Sequence, residues 1–324
     1  MESETEAIIT VLLVLFGSWA VLSKLAQPTM PFRRELNCTP QHEDVPVVVP
    51  LVRDGNNIFL LDLNVNGAWI KCAVDTGSTE LVVSGHDCDR CNLAHGSVAI
   101  PDGEHDIMAY VSQVDTVVWD KKPVQFLAWE LGNHTPDLPV CIGGNVDTAV
   151  VAKRTGTSNY NVLGIGPDDD GFMADLMPDL PRAYSIFIES YDSAKMVLYR
   201  PTAMLDESMQ NRKYPLTPKG IVVKSIQGAP ANGITMMFDT GANAMSLPES
   251  VYRRLGYVGK LTIEMPDGVV YQFPYNKFNT WNAQVHSYKR PMIVVGVTNM
   301  VGYGVGVEQT ARERRLEVGG RVGA

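Results

Sequence analysis

Cys72-Ala-Val-Asp75-Thr76-Gly77-Ser78 and Met236-Met-Phe-Asp239-Thr240-Gly241-Ala242 are two copies of one pattern, an apolar run that ends in Asp-Thr-Gly. Each copy has the same sequel downstream, two apolar residues and a glycine: Val162-Leu163-Gly164-Ile165 after the first, Val294-Val295-Gly296-Val297 after the second. A single Asp-Thr-Gly reads most simply as an aspartate in a turn. Two copies in the same context and the same order point to a duplicated unit, its halves facing each other across a pseudo-two-fold axis.

Strand signals surround both copies. Leu61, Leu63 and Val65 alternate with Asp62, Asn64 and Asn66, and Asn66-Gly67 is a two-residue hairpin turn leading into the return strand Ala68–Val74. A second hairpin reads Leu261–Met265, turn Pro266-Asp267-Gly268, then Val269–Phe273. Helical signals are sparse. Ser246 and Glu249 have the spacing of a capping box, with Pro248 in the first turn and Gly256 as the stop, and a short helical stretch lies near Phe172–Met177. The expected class is mainly β with few short helices.

Length and charge narrow the function. The 324 residues suggest roughly two domains. Hydrophobic residues make up 45% and charged residues 19%, which suits a sizeable core and argues against global disorder. The net charge of −9 argues against a nucleic-acid partner, because phosphate binding needs clustered Lys and Arg.

The amino terminus reads as a targeting segment. Ala7–Leu22 is an uncharged apolar run, somewhat shorter than the about 20 residues of a full span, and it serves as either a membrane anchor or a cleaved signal. Glu2, Glu4 and Glu6 before it and Lys24, Arg33 and Arg34 after it would leave the downstream chain cytosolic by the positive-inside tendency. The sequons at Asn37 and Asn133 favour the lumenal side instead, as glycosylation candidates. Five cysteines, an odd count, leave at least one thiol unpaired or bonded to another chain. The expected location is the secretory pathway, anchored or secreted. The expected divisions are 1–22 signal or anchor, 23–45 linker or short pro-segment, 46–186 and 187–319 the two β lobes, and 320–324 a tail.

With both motifs in view, the chain resembles the pepsin-like aspartic proteases over about residues 46–319. Val49-Pro50-Leu51 resembles that family's opening strand, Asp75 to Val83 its first catalytic loop, and Asn161 to Gly166 and Ile293 to Gly296 the strands that close each lobe. The resemblance implies a bilobal fold and a monomer that hydrolyses an extended polypeptide in the cleft between lobes, with no cofactor and no metal. Asp75 and Asp239 are the implied catalytic pair. Two carboxylates about 3 Å apart cannot both ionise, so they share a proton and supply acid and base together, the familiar behaviour of such proteases. Thr76 and Thr240 would tie the two loops, and Gly77 and Gly241 would let backbone amides reach the carboxylates. Ser78 adds a hydrogen-bond donor that Ala242 lacks, which should raise the apparent pKa of the pair.

Several positions depart from the family pattern. The hairpin expected to cover substrate spans about Ile100–Val118, with Asp115-Thr116-Val117 in its return strand. The family's Tyr-Gly-x-Gly tip falls on Asp102, Gly103, Glu104 and His105, leaving Asp102, Gly103, His105 and Tyr110 as candidates for its role. Val82 stands where a tryptophan is usual, and Tyr160-Asn161 where Asp-Gly is usual. These departures keep two other readings open, a peptide-binding protein with little catalysis and a membrane-tethered structural protein. Cys88 and Cys91 match the family's small disulfide loop, yet His86, Cys88, Cys91 and His95 also have zinc-ligand chemistry, and free thiols remain a third state. Cys72 reads as a buried small hydrophobe.

Overall fold

The computed structural model describes residues 39–40, 45–110, 113–130, 139–198, 210–217, 219–277 and 285–320. Cys38–Ala324 is one compact unit. The apolar amino-terminal run and the sequons at Asn37 and Asn133 lie outside the described residues. Among those described, no helix is long and apolar enough to cross a membrane.

The chain is mainly β. In its first half the strands are β1 (Thr39–Pro40), β2 (Val47–Arg53), β3 (Phe59–Val65), β4 (Ala68–Asp75), β5 (Leu81–Asp89), β6 (His105–Ala109), β7 (Gln113–Glu130), β8 (Val140–Gly156) and β9 (Asn161–Gly164). Helix α1 (Phe172–Leu176) follows, then β10 (Arg182–Ile188), β11 (Ala194–Leu198) and β12 (Gln210–Pro215). The second half holds β13 (Ile221–Val222), β14 (Ser225–Ile226), β15 (Ala229–Pro230), β16 (Thr235–Asp239), β17 (Met245–Pro248), α2 (Glu249–Arg254), β18 (Val258–Glu264) and β19 (Val270–Asn276). It ends with β20 (Val285–Tyr288), β21 (Met292–Gly296), β22 (Tyr303–Gln309) and β23 (Arg314–Gly320).

The repeated motifs occupy repeated topology. β4 runs parallel to β9 with Asp75 opposite Gly164, β9 is antiparallel to β5, and β5 is parallel to β8. In the second half β16 runs parallel to β21 with Asp239 opposite Gly296, β21 is antiparallel to β17, and β17 is parallel to β20. The apolar-apolar-glycine sequel is thus the strand lying beside each aspartate. A third group of strands, β2-β11-β10-β22-β23-β12, is antiparallel throughout and draws from both ends and the middle of the chain. The expected boundary between residues 186 and 187 falls inside β10, a strand of this shared group. The two halves therefore have no clean seam there.

Local chemistry accounts for most elements. The β3–β4 hairpin turns on Asn66 and Gly67, both with positive φ (49° and 85°), the turn whose twist matches the flanking strands. The β18–β19 hairpin closes where expected, with Gly268 N donating to Met265 O at 2.9 Å. The capping box at Ser246 does not form. Ser246 is committed to β17, opposite Val294 in β21, and α2 begins at Glu249 with no side-chain cap. Apolar residues from Val47 to Val318 make one continuous core, with Phe59, Phe126, Phe172 and Phe273 fully enclosed.

Candidate active site

The carboxyl ends of β4 and β16 meet. Thr76 N donates to Thr240 Oγ1 (3.1 Å), and Thr240 N donates to Thr76 Oγ1 (3.0 Å). Each hydroxyl then donates onward to the opposite strand, Thr76 Oγ1 to Phe238 O (2.8 Å) and Thr240 Oγ1 to Val74 O (2.6 Å). Four reciprocal bonds fix the two Asp-Thr-Gly loops against each other, and Thr240 is buried in the process. Only a side chain that both donates and accepts within a small volume can make this pattern, which is why threonine suits the position.

The glycines set the spacing. A Cβ on Gly77 would lie 2.7 Å from Asp239 Cγ, and one on Gly241 would lie 2.6 Å from Asp75 Cγ. Any larger residue would push the opposite carboxyl away. Gly77 N donates to Asp75 Oδ1 at 2.7 Å, and Gly241 N donates to Asp239 Oδ1 at 2.9 Å. Ser78 Oγ adds a third donor, 2.7 Å from Asp75 Oδ2. Ala242 offers no hydroxyl, so only its backbone amide reaches Asp239. Burial, and Asp75 through its charge and a side-chain hydrogen bond, hold the Asp239 carboxyl well above the usual carboxylate range. The amides of Gly241 and Ala242 pull the other way without overcoming this.

A β6–β7 hairpin lies near the pair, and its turn is not where the family resemblance put it. His105 pairs with Val118 at the open end, and Ala109 pairs with Val114 next to the turn. Tyr110 N donates to Gln113 O at 2.8 Å, so the chain reverses between these two residues. Asp102 and Gly103 precede β6 and His105 opens it, all exposed and at the end away from the turn. Of the four candidates, Tyr110 alone is at the turn. Its ring packs on the cluster that contains Val82, Val117 and Val162. Burial, and then the charges of Glu80, Asp75 and Asp115, push its hydroxyl pKa up.

Cys88 and Cys91 are joined in a disulfide, so the zinc and free-thiol readings fail for lack of thiolates. His86 Nδ1 hydrogen-bonds Ser97 Oγ (2.7 Å), while His95 stacks on Tyr160 with ring centroids 5.1 Å apart. Among the described residues no cluster of three or more His, Cys, Asp or Glu is arranged to hold a metal ion. Cys141 is also disulfide-bonded. Cys72 is a free, fully buried thiol, and burial pushes its pKa far up.

A cavity of about 630 Å³ adjoins the first Asp-Thr-Gly loop, lined by Glu80, Trp119, Asp120, Asp147, Asp170 and Phe172 among others. It neighbours the loop through Phe172 N, which donates to Thr79 O at 2.7 Å, and neither Asp75 nor Asp239 lines it. Arg154 and Gln113 near the hairpin were not singled out in the sequence. Their one sequence signal was a charged and an amide side chain at strand positions of inward parity. Neither a family model nor a curated protein matches this chain.

Proposed function

We propose that the chain is a pepsin-like aspartic endopeptidase, with two β lobes that each contribute one carboxylate to a single site between them. The observation that carries this reading is the pair itself: two Asp-Thr-Gly loops locked by reciprocal threonine bonds, with each glycine against the opposite carboxyl. A structural turn aspartate has no need of a second one in contact with it, and the raised Asp239 pKa is a standing destabilisation. Such pairs are retained where they do chemistry.

The division of labour follows from the donors. Asp75 accepts from Gly77 N and Ser78 Oγ, which stabilises its charged form, and Asp239 holds the shared proton. Asp75 takes a proton from a water as that water attacks the peptide carbonyl carbon, and Asp239 gives its proton to the carbonyl oxygen. In the collapse the C–N bond breaks, the amine nitrogen leaves with the proton from Asp75, and Asp239 recovers its own from the diol. Neither metal nor organic cofactor enters these steps. The substrate is a polypeptide in extended form, with Tyr110 on the hairpin above it. The disulfides suit an oxidising compartment, consistent with a secretory route.

The test is cleavage of an unfolded polypeptide by purified protein across about pH 3 to 7, the range in or below which such dyads titrate. Cleavage blocked by a statine-type inhibitor and reduced by at least about 10³-fold in Asp75→Asn and Asp239→Asn is expected. Absence of cleavage across that range, or cleavage unaffected by Asp75→Asn, would overturn the proposal. A retained affinity for the inhibitor without cleavage would favour the peptide-binding reading instead.

A further inference from the structure

A buried ion pair stands beside the site and takes no part in the chemistry above. Asp115 on β7 faces Arg154 on β8, and their exposures are 0% and 1%. The guanidinium grips the carboxylate with two bonds, Nε to Oδ1 at 2.8 Å and Nη2 to Oδ2 at 2.9 Å. Its third arm, Nη1, donates to Tyr160 O at 2.8 Å. Gln113 Nε2 also donates to Asp115 Oδ2, at 2.8 Å.

Stability alone is a weak reason for such a pair. Desolvating two charges offsets most of their attraction, and apolar replacements of similar size are often neutral or stabilising. What the pair connects is more informative. Asp115 and Gln113 belong to the hairpin arm next to its turn, where Tyr110 N is bonded to Gln113 O. Tyr160 directly precedes β9, the strand whose Gly164 lies opposite Asp75. One guanidinium therefore joins the arm to the strand that flanks the first catalytic aspartate. At that turn the Tyr110 hydroxyl and Gln113 Oε1 are buried with no hydrogen-bond partner among the described residues.

We propose that Asp115 and Arg154 are positioning residues that fix the β6–β7 hairpin, and Tyr110 with it, at a set place relative to Asp75. The proposal rests on the endopeptidase reading for its effect on turnover. Neither residue touches the substrate; both act through the hairpin. Arginine is required because its planar fork holds Asp115 with two nitrogens while the third reaches Tyr160, and a lysine ammonium cannot do both.

Two variants test this in the full chain. Asp115→Leu with Arg154→Met removes both charges at once, so no charge is stranded in the core. Arg154→Lys keeps the charge but loses the fork, and it decides the matter should the double variant fail to fold. The expected result is a melting temperature near wild type, amide exchange over residues 105–110 and 113–118 at least about 10-fold faster, and unchanged exchange in β4 and β9. With peptide substrates kcat/KM should fall about 10- to 100-fold, while the pH profile, which reports the dyad, keeps its shape. Folded variants with wild-type exchange in the hairpin would overturn the proposal. Exchange needs no turnover, so a chain that cleaves nothing yet shows the faster exchange would defeat the endopeptidase reading and leave the positioning role standing.

Discussion

A carboxyl buried against a second carboxyl resists losing its proton, and at Asp239 that resistance has a measurable consequence for stability. Its pKa is raised in the folded state, so between the unfolded value near 3.9 and the higher folded value the native chain binds more protons than the unfolded one. Stability therefore falls as pH rises through that window. Asp239→Asn should melt at least about 2 °C above wild type at pH 7, with the gain disappearing below about pH 3.9, while activity is lost. Calorimetry at both pH values checks it, and an equal gain at both would refute the cause given. Ala242 is the second informative position. A serine there would add a hydroxyl donor to Asp239, as Ser78 does for Asp75. Ala242→Ser should lower the pKa of Asp239 and move the pH–rate profile toward acid, read from kcat/KM against pH. At Gly77 the constraint is space: Gly77→Ala should displace the Asp239 carboxyl and cost on the order of 10²-fold in kcat/KM with little change in fold.

The threonine lock joins β4 to β16 across 164 residues of sequence. Thr240→Val keeps the shape but strands Val74 O and Thr76 N, both served by the lost hydroxyl. A cost of about 2–3 kcal/mol in urea titration is expected, with recovery in Thr240→Ser. Among the elements, those with local instructions were legible: Asn66-Gly67 and Pro266-Asp267-Gly268 made their hairpins, and the stretch near Phe172 made its helix. Ser246 misled because a capping box is a local signal, while its residue was already claimed by β17 through pairing with β21. The hairpin turn near the site misled for a related reason. Its position is set by where β7 enters its long pairing with β8, and the family spacing placed the turn on Asp102 and Gly103 when the chain reverses after Tyr110.

The core has no break between the halves. Phe238, one residue before Asp239, meets Phe273 edge-on at 6.2 Å, and Phe273 packs on Tyr303 at 5.0 Å, in the strand group shared by both halves. Phe273→Ala should cost about 3–5 kcal/mol. Because the core is continuous, fluorescence from Trp69, Trp119 and Trp129, all in the first half, measured with Trp19 and Trp281 replaced by Phe, should report the same lowered midpoint as circular dichroism. Separate midpoints would show that the halves unfold independently. The sequence by itself determined the class, the duplication and the identity of the two aspartates, since alternation, turn chemistry and a repeated motif are all written in neighbouring residues. It also narrowed the cysteine pair, though not to one state. Tertiary structure alone decided which hairpin residue lies at the turn, that Asp115 and Arg154 form a buried pair, and that the aspartates touch with unequal donors. Those facts depend on strand register and on contacts between residues far apart in the chain, and no local pattern encodes the distance between them.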